Sequence, residues 1–464
     1  MASQWHPRIG LVTVRYTLFD PQMGPDFPAR MRAHAARSAA FLRSLGDVVE
    51  TPLIEHEADA PAVANALAAA RPDVVVFAPA MAAPPSFAIR AVKGVDAPLV
   101  VWNAPAIARL PEDLHQDEAT VHSTSVGSVM LGNVLVRRGR PFRVVTAGHD
   151  DPEALAVLAR TVRATAVGGS LRGATLLRVG NPIPGYLDVE ATAAELAQLG
   201  VREVALGRDA WGAAVRTVPD ERADALLADV RARWAGDPGS AARDSARIAV
   251  ALGDALDAHG AVGGTVNCHG PWFRTGADVG LTACLGVACH TEAGRPFACT
   301  GDQPTAIALV LARRLTGQAL YCECYVPERE TGLVLVAAGG EGDPAWADPP
   351  GAVTLEENDH YPGARGRATS IAFGLRRGPA TLLSLSPTDA GWVLAWGAGE
   401  IVETRYRNMR GPNAMFRFDS GPGGEALARW IGSGATHHNA LAPGRLDVEI
   451  PALASALGIR HQQV

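Results

Sequence analysis

No stretch of the 464 residues carries an apolar run near the ~20 residues that a bilayer-spanning helix needs, so no membrane partner is expected. Met1-Ala-Ser-Gln-Trp-His-Pro-Arg8 lacks a charged start leading into a long apolar core, so it is not read as a secretory signal and a cytoplasmic protein is expected. An excess of positive charge is also missing. Lys and Arg number 42 against 48 Asp and Glu, and this net −6 offers no footprint for nucleic acid. No Gly-x-Gly-x-x-Gly follows the first apolar strand, which disfavours dinucleotide binding. The six cysteines all fall between Cys268 and Cys324, without the spacing of paired Cys-x-x-Cys knuckles. They are read as small core residues, and without a secretory signal disulfides are not expected. The chain shows no internal repeat.

What is present is a long alternation of strand and helix patterns. Arg8–Val14, Asp47–Leu53, Pro72–Ala78, Pro98–Asn103 and Pro141–Ala147 read as strands, with Ala/Arg-rich helical segments between several of them. Such β–α alternation argues a parallel, doubly wound sheet. A second α/β unit begins near Gly173 and runs through strands at 174–180, 201–206 and 263–270. After Tyr325 the texture changes to short strands between Gly/Pro turns, which argues an antiparallel, barrel-like module. The expected fold is therefore α/β: two doubly wound parallel-sheet domains followed by an antiparallel β-barrel-like C-terminal domain. The expected boundaries are 1–170, 171–318 and 319–464, the last including a final helix.

One segment concentrates the chemistry. Gly301-Asp302 opens a helical pattern that Thr316-Gly317 stops, and the next short strand carries Glu323. Turn, helix and strand in that order bring Asp302 and Glu323 to one end of a sheet, where open α/β sheets keep their sites. Paired carboxylates there suit metal binding or proton transfer. The plainer reading is a helix cap at Asp302 and a solvated glutamate at 323. His122, ahead of a helix in a Ser/Thr-rich turn, suits contact with a hydroxylated or anionic ligand or serves as an ordinary loop residue.

Several stretches together resemble the L-arabinose isomerase/L-fucose isomerase superfamily: His122-Ser-Thr-Ser-Val-Gly-Ser128, Leu177–Val189, Gly301-Asp302 with its helix, the strand bearing Glu323, Leu333–Ala338, and Trp430–Leu441 with His437-His438. The resemblance implies an aldose–ketose isomerase acting on a pentose or 6-deoxyhexose through an enediol. It further implies Mn²⁺ or another divalent metal held by two glutamates and two histidines, and a homo-oligomer, trimer-based or tetrameric, in which His122 helps complete a neighbouring site. Glu323 and His438 stand at two metal-ligand positions, with Glu323 and Asp302 as catalytic carboxylates. Thr300 and Ala338 replace the other two ligands. His122, His437, Thr300 and His269 are the substrate-side candidates. Three consequences compete: other residues (Asp302, His290, Glu292, Glu341, His437) replace the lost ligands; the scaffold runs a different, metal-independent acid–base reaction on a polyol or sugar-derived substrate; or the chain is a non-catalytic sugar-binding protein.

Overall fold

The computed structural model describes residues 5–270, 272–276, 279–403, 409 and 411–464. Two compact units emerge. The first comprises Trp5–Ser170 with Asp447–Ile459; the second comprises Leu171–Leu446 with Arg460–Val464. Among the described residues no helix is long and apolar enough to cross a membrane.

The first unit is a five-stranded parallel sheet of β1 (Arg8–Val12), β2 (Asp47–Val49), β3 (Val74–Phe77), β4 (Leu99–Asn103) and β5 (Phe142–Thr146), in the order 2-1-3-4-5. The middle strands are buried on both faces, which is why Val74-Val-Val-Phe77 is uniformly apolar. Helices α1 (Phe27–Arg43), α2 (Ala60–Ala70), α3 (Pro85–Ala91), α4 (Gln116–Val121), α5 (Thr124–Arg137) and α6 (Pro152–Gly169) occupy the connections. The C-terminal helix Glu449–Leu457 joins this unit and packs along α6, whereas the expected boundaries include it in the C-terminal domain. Its approach depends on Gly168, where a Cβ would stand 2.7 Å from the Ala456 Cβ. At the other end of the same helix pair, Arg160 Nε donates to Glu449 Oε1 at 2.6 Å.

The second unit holds a four-stranded parallel sheet and a barrel. Strands β6 (Ala174–Val179) and β7 (Val201–Leu206) are followed by helices α7 (Ala193–Gln198, between them), α8 (Arg208–Thr217) and α9 (Asp220–Arg233). The short β8 (Ala235–Gly236) leaves for a separate three-stranded sheet, and α10 (Ala242–His259) returns the chain to β9 (Ala261–Val266). Then α11 (Cys284–Glu292), β10 (Phe297–Cys299) and α12 (Gln303–Thr316) complete the layer, with strand order 10-9-6-7. Both ends of α12 follow from its sequence. Asp302 caps the N-terminus through the Thr305 N–H, and Gly317 ends the helix in a left-handed conformation (φ 80°).

Beyond α12 come β11 (Leu320–Pro327), β12 (Val334–Ala337), β13 (Thr354–Glu357), β14 (Thr369–Ala372), β15 (Gly378–Thr388), β16 (Gly391–Glu403), β17 (Asn413–Phe418), β18 (His438–Pro443) and β19 (Arg460–Gln463). Strands β15-β18-β11-β12-β17-β16 pair antiparallel in that order, and β15 pairs with β16 to close a six-stranded barrel. Closure removes the open strand edges that an antiparallel sheet would otherwise present. The parallel-sheet domains and the antiparallel barrel expected of the sequence are thus both present. All six cysteines are free; Cys268, Cys284 and Cys322 are buried and the others partly so.

Gly168→Ala tests the helix contact in the first unit. Alanine in a helix interior normally stabilises. Here the added methyl meets Ala456, so a loss of about 1–3 kcal/mol is expected in denaturant titrations.

Candidate acid–base site

The carboxyl ends of three parallel strands supply one wall of the site. After β10 come Thr300 (φ 59°) and Gly301 (φ 84°), two successive left-handed residues. A β-branched residue in that region is strained by about 1–3 kcal/mol, a cost typically borne at functional turns. Gly301 has no alternative, since a Cβ there would lie 2.7 Å from the Pro182 Cα, in the segment after β6. This turn delivers Asp302 to a fully buried position at the head of α12.

The barrel supplies the opposite wall. Glu323 on β11 and His438 on β18 are cross-strand partners in the antiparallel register. Their side chains therefore share a face, whereas Cys322 and Cys324 alternate away into the apolar core. Asp302 joins the two walls. Its Oδ1 accepts from the Thr305 N–H at 2.7 Å and its Oδ2 lies 2.8 Å from His438 Nδ1. Because the carboxylate accepts, Nδ1 carries a hydrogen, which leaves Nε2 as the ring nitrogen free to give or take a proton. That nitrogen lies 3.8 Å from Glu323 Oε1. His438 is almost fully buried, while the Glu323 side chain is 35% exposed and reachable from solvent. The Tyr321 ring packs 4.9 Å from His438, and Thr436 Oγ1 donates to the His438 carbonyl at 2.5 Å.

The remaining candidates divide. Thr300 Oγ1 donates to the Cys299 carbonyl at 2.8 Å and lies 3.4 Å from His438 Nδ1. The His437 ring stands 3.7 Å from the His438 ring, with Nδ1 2.6 Å from Asp188 Oδ2 and the Tyr186 ring at 5.3 Å. Burial opposes ionisation of Asp188, but the hydrogen bonds from His437 prevail and lower its pKa. The His269 N–H donates to Asn267 Oδ1, and its ring meets Tyr361 edge-on at 4.8 Å. Burial, then the positive charges of Arg274, His438 and His360, hold the His269 imidazole below its usual pKa. His122 belongs to the first unit, at the end of α4, with Nε2 3.5 Å from Glu118. Ala338 directly follows β12, its N–H donating to the Pro412 carbonyl, and Ala337 is the cross-strand neighbour of Glu323. His290 Nε2 is engaged by the Ala249 carbonyl at 2.7 Å and Glu292 by Arg233 at 2.7 Å, so neither substitutes for a lost ligand.

Glu341 occupies the floor of the site. It is buried, its carboxylate faces the Gly339 N–H at 3.4 Å and the Cys299 thiol, and burial pushes its pKa up. Tyr361 had no place among the sequence candidates. Burial raises its hydroxyl first, and the charges of Glu341 and Glu323 add to the shift. The polar Asn358-Asp-His-Tyr361 run between β13 and β14 was its only signal.

A four-ligand metal centre is not reproduced by these residues. Glu323 and His438 offer two donors, Thr300 is turned toward a backbone carbonyl, and Ala338 has no donor. Among the described residues no group of three or more His, Cys, Asp and Glu side chains is arranged to hold an ion. No protein-family model matches the chain, and no curated protein matches it in sequence.

The raised pKa of Glu341 has a defined consequence. Between the ordinary glutamate value of 4.5 and its folded value, this group binds more protons in the native than in the unfolded state, so its contribution to stability falls as pH rises through that window. Burial lowers the imidazoles of His34, His149 and His269, which gives the opposite slope, so the share of Glu341 is read as a difference between variants. In urea titrations from mildly acidic to neutral pH the wild type should lose stability relative to Glu341→Gln, and a constant difference between the two would assign the pH dependence to other groups.

Proposed function

We propose that this chain is a sugar isomerase-like enzyme that moves protons between adjacent carbons and oxygens of a small hydroxy-carbonyl substrate, an aldose–ketose isomerisation through an enediol. The observation that carries the reading is the line Asp302–His438–Glu323, a buried carboxylate orienting an imidazole toward a second, accessible carboxylate. In this reading Glu323 takes the proton from C2 while imidazolium His438 gives its Nε2 proton to O1. Neutral His438 then takes the O2 proton, and protonated Glu323 returns a proton to C1. The cycle closes with both groups restored, and Asp302 stabilises the imidazolium each time it forms. Two polar groups of different basicity are what a 1,2-proton shift needs, one for carbon and one for oxygen. His437, with Asp188 behind it, and His269, beside Tyr361, are placed to hold substrate hydroxyls.

The route uses only side chains of this chain. A divalent ion such as Mn²⁺ would add polarisation of the carbonyl, with Glu323 and His438 as the donors available to it. Self-association into a homo-oligomer belongs to the same reading.

Pentoses and 6-deoxyhexoses incubated in D₂O should yield the ketose and carry solvent deuterium at the exchanged carbon. Glu323→Gln and His438→Asn should each lower turnover by about 10²–10⁴-fold with the fold intact by circular dichroism. Running each assay with and without chelator and added Mn²⁺ separates the metal-free route from a metal-assisted one. Absence of both conversion and deuterium exchange across the panel, with and without metal, would remove the isomerase reading.

A further inference from the structure

Lys93 is the only lysine of the chain; all its other residues among the 42 Lys and Arg are arginine. A lysine ammonium is a compact charge on a flexible stem, and it does not stand in for a guanidinium fork. The surroundings of Lys93 give this departure a meaning. It borders a cavity of about 720 Å³ in the first unit, and Arg90, Arg138 and Arg140 border the same cavity. Glu57 is the one acid among the described residues that line it, and its Oε1 is engaged by Arg90 Nε at 2.5 Å.

The cations stand at the mouth, above an apolar floor. Arg90, Lys93 and Arg138 are exposed and Arg140 is half-buried, whereas Val92, Leu99 and Leu135 are buried. Arg140 is held in place by its Nη2, which donates to the Val95 and Ala97 carbonyls at 3.0 and 3.1 Å. Those acceptors orient the guanidinium without neutralising it. Among the described residues the side chains of Lys93 and Arg138 have no hydrogen-bond or ion-pair partner. Arg90 and Arg138 also stand at the carboxyl ends of α3 and α5, where a cation offsets the helix dipole. That accounts for the sign of two charges. It does not account for four cations around one concavity, where they repel one another until an anion enters.

Volume, charge and floor together define the occupant. The volume lies within the range of about 300–1,000 Å³ usual for small-ligand pockets. Four cations against one acid suit a dianion better than a single carboxylate, and arginine forks and a lysine ammonium are both good phosphate donors. The apolar floor favours an organic body over an inorganic ion. We propose that this cavity binds a phosphate monoester with an aromatic or apolar body, of the size of a nucleoside monophosphate. Lys93 and Arg138 hold the phosphate, and Val92, Leu99 and Leu135 lie beneath the body. Leu99 opens β4, so the cavity lies at the amino end of that strand. Open α/β sheets hold their main ligands at the carboxyl ends, which makes this an accessory site.

The proposal does not rest on the isomerase reading, and its readout is affinity, not turnover. Calorimetric titration of the full chain at low salt uses adenosine monophosphate and phenyl phosphate as probes, with adenosine and inorganic phosphate as controls. At least one ester should bind about tenfold tighter than either control. Lys93→Gln and Arg138→Gln should each weaken that binding about tenfold, with circular dichroism unchanged because both side chains are exposed. Glu323→Gln should leave it as it is. Esters that fail to bind, esters that bind no tighter than the controls, or binding indifferent to both substitutions each overturn the proposal. Loss of binding in Glu323→Gln overturns it too, by moving the ligand to the acid–base site.

Discussion

A fully buried carboxylate, Asp302, ties the site together. An isolated charge in that position would be very costly, so both of its oxygens need donors. One is satisfied by the first turn of α12, the other by His438 on the barrel. The same two hydrogen bonds thereby stabilise a helix end, join the parallel sheet to the barrel wall and set the tautomer of the imidazole. Thr305 reinforces the joint by donating to the His438 carbonyl at 3.3 Å. The left-handed backbone at Thr300 and Gly301 is the cost of delivering the carboxylate to that spot.

Around this joint the polarity is graded. Asp302 and His438 are sealed from water, whereas Glu323 reaches it. Glu341, Cys299 and Tyr361 make the interior side acidic and poorly solvated, and their protonated forms are favoured there. Burial raises the Glu341 carboxyl, whereas Glu323 reaches water, so neighbouring carboxylates sit in unlike surroundings. The exposed pair His437–Asp188 repeats the buried pair at the mouth, with the imidazoles 3.7 Å apart. The loop bearing Tyr186 and Asp188 reaches His437 because the segment after β6 is gripped between Asn267 and Gly301.

Much of this was legible in the residues themselves. The alternation of apolar runs with Ala/Arg-rich helical segments predicts parallel sheets because each strand must be buried on both faces. The change to short strands after Tyr325 predicts the antiparallel module, and Asp302 and Gly317 mark both ends of α12 at their expected places. The pairing of Glu323 with a distant histidine was accessible only by resemblance, for 115 positions separate them in the chain and no local pattern encodes a strand register. The final helix was misplaced for a related reason. Amphipathic periodicity shows that Glu449–Leu457 must bury a face, but not which surface receives it; Gly168 on α6 offers the close approach.

The sequence by itself determined the classes of element, their order, the cap on α12 and the identities of the reactive side chains, because these depend on local propensity and periodicity. Tertiary structure alone decided that Asp302, His438 and Glu323 form one line, that Glu341 and Tyr361 belong beside them, and that His290 and Glu292 do not. Those relations depend on barrel closure and strand register, where long-range packing chooses among partners that are equivalent in the chain.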